Sequence, residues 1–171
     1  MMSMIRRHTK PKYKRCAFTG HRIRESEESV RCTEMKAQLR RAIEELIGKG
    51  YAHFISGGTI GMDMFAAEMV LELQKEYPWI LLEMVSPFDA QSAKWEKEYQ
   101  MRLDRLYASA DIITATGHDY TRSSIFRRNR YLVDNADLLL ADFGGKPGGT
   151  AMTCSYAAEI GIPVENLTTI N

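Results

Sequence analysis

Two hydrophobic patterns alternate along this chain. Short continuous apolar runs predict buried strands, and longer stretches with an apolar residue every three or four positions predict amphipathic helices. The runs place strands at 14–20, 51–55, 79–85, 111–115, 136–142 and 162–164. Helical spacing covers 33–47, 92–108 and 124–135, one segment from Met62 to before Tyr77, and one from the end of a glycine-rich turn at 143–150 to Ile160.

This alternation predicts an α/β fold with a mostly parallel central sheet, because parallel strands need crossover connections. Helices on both faces make it a three-layer sandwich, and right-handed crossovers bring the carboxyl ends of all strands to one edge. Ligands bind at that edge in open α/β sheets. The loops expected there are 19–22, 56–63, 86–91, 116–124 and 143–150. We expect one domain over residues 14–171, preceded by a basic leader at residues 1–13.

The first candidate site is the turn between the second strand and its helix, which contains Ser56, Gly57, Gly58, Thr59 and Gly61. A strand that runs through glycines into a helix leaves N–H groups free at the helix N-terminus, where a phosphate binds favourably. The dinucleotide motif G-x-G-x-x-G is not met, since its first glycine falls on Ser56. The alternative is a tight connection without a ligand.

The second candidate turn repeats this arrangement. Gly148, Gly149 and Thr150 follow an apolar strand and begin a helix. Thr59 and Thr150 each carry a hydroxyl that suits either an anion or a helix N-cap. Two such turns at one edge favour a ligand site more than one turn does.

Three further side chains are candidates for binding or chemistry. His21 and Arg22 follow the first strand, where an arginine pairs with phosphate or carboxylate and a histidine donates a hydrogen bond or moves a proton, although an exposed polar turn is the alternative. Asp63 lies near a helix start, where the helix dipole favours a carboxylate, so a structural role is as well supported as a catalytic one.

Asn129 falls within the apolar stripe of the helix at 124–135, formed by Ile125, Phe126, Leu132, Val133 and Ala136. A buried amide needs hydrogen-bond partners, because an unsatisfied polar group costs about 1–3 kcal/mol. We expect Asn129 to hold the second glycine turn or a ligand's ribose. The arginines at 127, 128 and 130 are expected in solvent or in the cleft.

Composition and charge exclude several classes of protein. The 171 residues carry a net charge of +1, but six basic residues and no acidic ones occupy the first 15 positions, which leaves 17 basic against 22 acidic residues in the remainder. Three cysteines without a C-x-x-C pattern indicate neither a disulfide framework nor zinc, so we expect a cytoplasmic protein. Nothing in the sequence indicates a membrane span, and the four histidines show no metal-ligand spacing.

Five motifs in order resemble the bacterial YpsA-like proteins, Rossmann-like members of the SLOG superfamily. They are the segments 16–22, 56–58 with 61–63, 87–88 with Gln91 and Trp95, 128–134, and 147–150. The resemblance covers Cys16 to Val164 and implies a nucleotide, NAD or ADP-ribose ligand. It places one phosphate region at Gly57, Gly58 and Thr59 and another at Gly148, Gly149 and Thr150. The segment Thr19, Gly20, His21 and Arg22 would close the pocket.

The same superfamily contains the LOG phosphoribohydrolases, which carry a catalytic glutamate shortly after the second turn. Here no acid follows Thr150 until Glu159, so hydrolysis by that route is not implied. We therefore expect a sensor or regulator that binds a nucleotide-type small molecule, with a homodimer implied by the superfamily alone. The first alternative is a nucleotide N-glycosidase or hydrolase that uses Asp63, His21 or Asp142.

A second alternative is single-stranded DNA binding like that of DprA, through the basic leader and the loop arginines. The acidic body argues against it.

Overall fold

The computed structural model describes residues 13–23 and 28–167. Within these ranges six strands alternate with five helices. The strands are β1 (Lys14–Gly20), β2 (Tyr51–Ser56), β3 (Leu81–Ser86), β4 (Ile112–Ala115), β5 (Leu138–Asp142) and β6 (Val164–Asn166). The helices are α1 (Val30–Gly48), α2 (Met62–Leu73), α3 (Lys97–Ser109), α4 (Ser124–Asp134) and α5 (Gly149–Ile160). Most of the basic leader, residues 1–12, lies outside the described residues.

The sheet is parallel throughout, with the strand order β4-β3-β2-β1-β5-β6. From β1 the chain builds outward through β2, β3 and β4, and then returns to the other side of β1 with β5 and β6. The order therefore reverses between β1 and β5. In open α/β sheets a crevice forms outside the carboxyl ends of the strands at such a switch point.

Two apolar clusters fill the space on the two faces of the sheet. One contains the buried residues of α1 and α2 and the inner side of α3, packed on side chains such as Phe18, Phe54 and Leu140. The other joins α4 and α5 to the opposite sheet face through Ile55, Val85 and their neighbours. The three-layer α/β fold predicted from the alternating pattern is thus confirmed.

One buried polar group lies beneath α4. The Glu83 carboxylate on β3 is 2.7 Å from Nε2 of His53 and accepts hydrogen bonds from the hydroxyls of Thr114 at 2.9 Å and Tyr131 at 2.7 Å. Burial by itself raises the pKa of Glu83, but the hydrogen bonds from His53, Tyr131 and Thr114 outweigh it and lower the pKa. Glu83 is therefore a satisfied anion that ties α4 to the sheet.

Some predicted boundaries were wrong. α3 was expected from residue 92 but begins at Lys97, because the preceding backbone forms tight turns in which the N–H groups of Ala93 and Trp95 bond to carbonyls three residues earlier. β6 begins at Val164 rather than at 162, since Pro163 contributes only its carbonyl, to the N–H of Leu139. No helix in the described ranges has the length and apolarity that crossing a membrane requires.

Candidate functional site

A cleft of about 310 Å³ opens at the carboxyl ends of β1 and β5, where the strand order reverses. Nine of the fourteen predicted site residues line it, together with two that were not predicted as site residues, Ile125 and Arg128. The nine are Thr19, Gly20, His21, Arg22, Thr59, Asp63, Asn129, Gly149 and Thr150. The other five do not line it. Four of these, Ser56, Gly57, Gly58 and Gly61, are buried, and Gly148 lies on the neighbouring surface of α5.

Arg128 is the central side chain of the cleft wall. It is only 2% exposed and extends from α4 beneath the first glycine turn. Its Nη1 donates to the carbonyl oxygens of Gly57 at 2.8 Å and Val85 at 3.3 Å, Nη2 donates to the Thr59 hydroxyl at 3.1 Å, and Nε donates to Oδ1 of Asn129 at 3.0 Å. Four of the five guanidinium N–H groups are therefore occupied.

The charge of Arg128 is not matched by an ion pair. Among residues 13–23 and 28–167 no carboxylate lies within 4.0 Å of its guanidinium, and all four hydrogen-bond acceptors are neutral. Burial lowers the pKa of Arg128, and the more distant charge of Asp63 offsets part of this. A buried cation without a close counter-ion is costly.

The glycines of the first turn are required by contacts within the protein. A Cβ on Gly57 would lie 2.3 Å from Nη1 of Arg128, and a Cβ on Gly61 would lie 2.5 Å from the carbonyl oxygen of His21. Gly61 also has a φ of +112°, which side chains rarely allow. The N–H of Gly58 donates to Oγ of Ser56 at 3.1 Å. Thr59 is therefore the residue of this turn that lines the cleft, next to the Arg128 side chain from α4.

The second turn is open. Gly148 and Gly149 are exposed, and α5 begins at Gly149 with no side chain of the described residues capping its N-terminus. The first N–H groups of a helix lack intrahelical partners, so they face solvent or the cleft. Neither threonine is an N-cap, because those positions belong to Gly61 in α2 and Gly148 in α5. The alternative that Thr59 and Thr150 are N-caps is therefore wrong.

Asp63 lies in the first turn of α2 and is 7% exposed. Its Oδ1 is buried and, within the part of the chain described, has no hydrogen-bond partner. Burial raises the pKa of Asp63 to about 7, against weaker opposing effects from Arg128 and Thr59. The carboxyl group therefore exchanges a proton near neutral pH and has an acceptor oxygen to spare.

Three side chains of α4 differ from the sequence prediction. Asn129 is half-buried rather than part of the buried stripe, and Ile125 and Phe126 are exposed. Ser124, Arg128 and Leu132, spaced by four residues, occupy the inner face instead. Leu132, Val133 and Ala136 are buried as predicted, so the difference is confined to the first half of the helix, where Asn129 lines the cleft beside Gly149.

His21 joins the first loop to the last. Its Nε2 accepts a hydrogen bond of 3.4 Å from the N–H of Gly144, and its ring lies 5.9 Å from that of Phe143. Arg22 is exposed at the mouth of the cleft. The loops that follow β1 and β5 are thereby held together on the two sides of the switch point.

An all-parallel sheet with a cleft at its switch point defines a Rossmann-like protein. This chain belongs to the YpsA family, since the family model described as "YspA SLOG family" matches residues 16–158. The chain is 30% identical to a UPF0398 protein of Bacillus pumilus over 118 residues, which is 68% of this chain and 63% of that protein. It is 29% identical to a UPF0398 protein of Brevibacillus brevis over 151 residues, covering 85% of this chain and 80% of the relative.

A solved structure shares the fold. DNA processing protein A of Helicobacter pylori, described by its single-stranded DNA binding mode, superposes with a TM-score of 0.60 at 20% identity. The match covers 90% of this chain and 64% of that protein. At this identity the likeness concerns the fold alone.

Proposed function

We propose that this protein binds a nucleotide-type ligand, of the NAD or ADP-ribose class, in the cleft at the switch point and acts as a sensor or regulator. The observation that carries the proposal is Arg128, a buried guanidinium without a carboxylate partner among the described residues at the wall of an open cleft. The uncapped N-terminus of α5 lies on the same cleft through Gly149 and Thr150. A helix N-terminus and a guanidinium both favour phosphate.

The polar groups beside this anion site suit a sugar. Asp63 lines the cleft, and its buried Oδ1 has no partner in the described structure, so a ribose hydroxyl that reached it would be a donor of matching chemistry. Asn129 uses its Oδ1 for Arg128, which leaves its amide N–H groups for a ligand at the rim. Phosphate and hydroxyl recognition side by side support a ribose phosphate as the common part of the ligand.

The test is a thermal-shift series with AMP, ATP, NAD and ADP-ribose on the wild type and two matched variants. Gly149→Asp adds a carboxylate at the N-terminus of α5, where a Cβ meets nothing closer than 4.0 Å, so the fold is retained. Gly144→Asp adds the same charge in the same loop, at an open position that does not line the cleft.

A ligand at 100 times its Kd adds about 2.7 kcal/mol, and for a chain of this length that raises the Tm by roughly 5–10 °C. We expect one nucleotide to shift the wild type and Gly144→Asp equally, and Gly149→Asp hardly at all. The proposal is refuted when no nucleotide shifts the wild type, or when both variants respond like it.

Asp63 favours a second candidate function, a nucleotide N-glycosidase. A carboxyl group with its pKa near 7 in a cleft suits general acid catalysis at neutral pH. Time-dependent release of free base from the bound nucleotide, abolished in Asp63→Asn while binding persists, would establish this activity. Binding without release supports the sensor.

A further inference from the structure

A second and larger hollow of about 580 Å³ adjoins the cleft. It lies between the loop that follows β3 and the loop that follows β4, and Phe88, Trp95 and Tyr120 are its aromatic side chains. It shares Arg22, Thr59, Ile125 and Arg128 with the cleft, so the two spaces are continuous. Both volumes lie in the range of roughly 300–1,000 Å³ that small-molecule sites occupy.

Tyr120 is the most exposed of the three rings of this hollow. Phe88 and Tyr120 meet edge to face with centroids 5.1 Å apart, and Tyr120 is 70% exposed. Trp95 is half-buried against the core. Aromatic faces that line a groove beside a cationic site stack on nucleobases, since every base has a planar π-face.

The loop that carries Phe88 and Trp95 is hydrogen-bonded to the same carbonyl oxygen as Arg128, that of Gly57. Gln91 donates from Nε2 to the carbonyl oxygen of Gly57 at 3.2 Å and accepts at Oε1 from the Tyr107 hydroxyl at 2.7 Å. The carbonyl oxygen of Gly57 also accepts the 2.8 Å hydrogen bond from Arg128. The side of the hollow that this loop forms is therefore held in a fixed position relative to the cation.

A smaller hollow of about 250 Å³ on the other side of the cleft also contains aromatic side chains, Phe126 and Tyr156. Their rings are already occupied, because the Arg130 guanidinium lies 4.5 Å from the Phe126 centroid and 4.7 Å from that of Tyr156. A base that stacked there would displace two cation–π contacts. The hollow at Trp95 carries no such cation among the contacts described.

We infer that the nucleobase of the ligand stacks in the hollow of Phe88, Trp95 and Tyr120, while its phosphates lie between Arg128 and the N-terminus of α5. This inference rests on the proposed function and gives the ligand its direction across the cleft. It places the base over the loop after β3 and not over α4 and α5.

Calorimetric titration with ADP, GDP, CDP and UDP, each compared with inorganic pyrophosphate, tests it. Tyr120→Ala removes an exposed ring and preserves the fold, as an unchanged Tm would verify. We expect this variant to bind nucleoside diphosphates at least fivefold more weakly while its affinity for pyrophosphate stays within twofold, in line with the stacking contribution of a single aromatic side chain. Phe126→Ala is the matched variant in the smaller hollow, and we expect it to leave both affinities unchanged.

Fluorescence provides a second measurement. The chain has two tryptophans, so Trp79→Phe leaves Trp95 as the single reporter. We expect nucleoside diphosphates to quench it and pyrophosphate to leave it unchanged. The inference is overturned when Phe126→Ala, and not Tyr120→Ala, weakens nucleotide binding, or when nucleotides bind no tighter than pyrophosphate. In either case the anion site survives, whereas a wild type that binds neither nucleotides nor pyrophosphate refutes the proposed function itself.

Discussion

Replacing Asp63 by asparagine removes an ionisable group whose pKa the fold raises from 3.8 to about 7. The cause is burial without a hydrogen-bond partner for Oδ1 among the described residues. The folded protein therefore binds more protons at this site than the unfolded chain does between these two values. The stability contributed by the protonated carboxyl is fully present below pH 3.8 and is lost as the pH rises through 7.

The size of this effect follows from the shift. One pKa unit corresponds to 1.36 kcal/mol, so the charged carboxylate destabilises the fold by about 4 kcal/mol well above pH 7. Between pH 4.5 and pH 8 the expected loss is about 3 kcal/mol, because the unfolded group is already largely ionised at pH 4.5. Asparagine carries no such titration, although its amide donors add a constant cost of about 1–3 kcal/mol where they lack partners.

Urea unfolding of wild type and Asp63→Asn at a series of pH values measures this difference. We expect the free energy of unfolding of the variant, relative to wild type, to rise by about 3 kcal/mol from pH 4.5 to pH 8. Asp104→Asn makes the same chemical change at an exposed position and should show no such rise. A flat relative stability of Asp63→Asn would show that folding leaves the pKa unshifted, and one that falls with pH would show that the carboxylate is stabilising; either result would contradict the reasoning.

Three further stability predictions follow from the contacts. Gly61→Ala places a Cβ 2.5 Å from a carbonyl oxygen, whereas Gly50→Ala shares a positive φ but meets open space. In urea unfolding Gly50→Ala should lose about 1–2 kcal/mol of stability, and Gly61→Ala should lose more. Equal losses of stability would contradict the close contact at Gly61. Glu83→Gln should lose about 1–3 kcal/mol at pH 7. Because the pKa of Glu83 is lowered, this loss should shrink as the pH falls below 4.5, and a loss that grew would contradict it. Gly57→Ala displaces the Arg128 guanidinium, so the Tm should fall and nucleotide binding should weaken, and an unchanged Tm would refute the close approach.

The fold was predictable because each element carries a strong local signal. The strands from Cys16 to Phe18 and from Leu138 to Leu140 are unbroken apolar runs, and turns rich in glycine mark where helices begin. Which strand neighbours which was not predictable, since apolar runs of similar composition do not specify partners. The α3 boundary was also missed, because turns near Ala93 and Trp95 carry no apolar period of their own.

The convergence of loops around the candidate site was predictable, and the side chains that line it only partly so. The loops after β1, β2 and β5 converge as expected. Arg128, however, was expected in solvent or in the cleft together with Arg127 and Arg130, and not at the centre of the wall. Arginine is rarely fully buried, which makes position 128 an improbable core residue by composition. The sequence signal for its burial was the spacing of Arg128, four residues from both Ser124 and Leu132, which places all three on one helical face. Apolar residues at 125 and 126 obscured it, since Ile125 lines the cleft and Phe126 lines the smaller hollow instead of facing the core.

The central position of β1 has a consequence for how the chain is made. β1 pairs on one side with β2, and Cys16 pairs on the other with Leu138, 122 positions later. During synthesis the first four strands emerge while this side of β1 is still unpaired, so an apolar edge is exposed to wrong partners. A polypeptide stopped before β5 would present that edge permanently, and we expect it to aggregate rather than persist as a smaller folded unit.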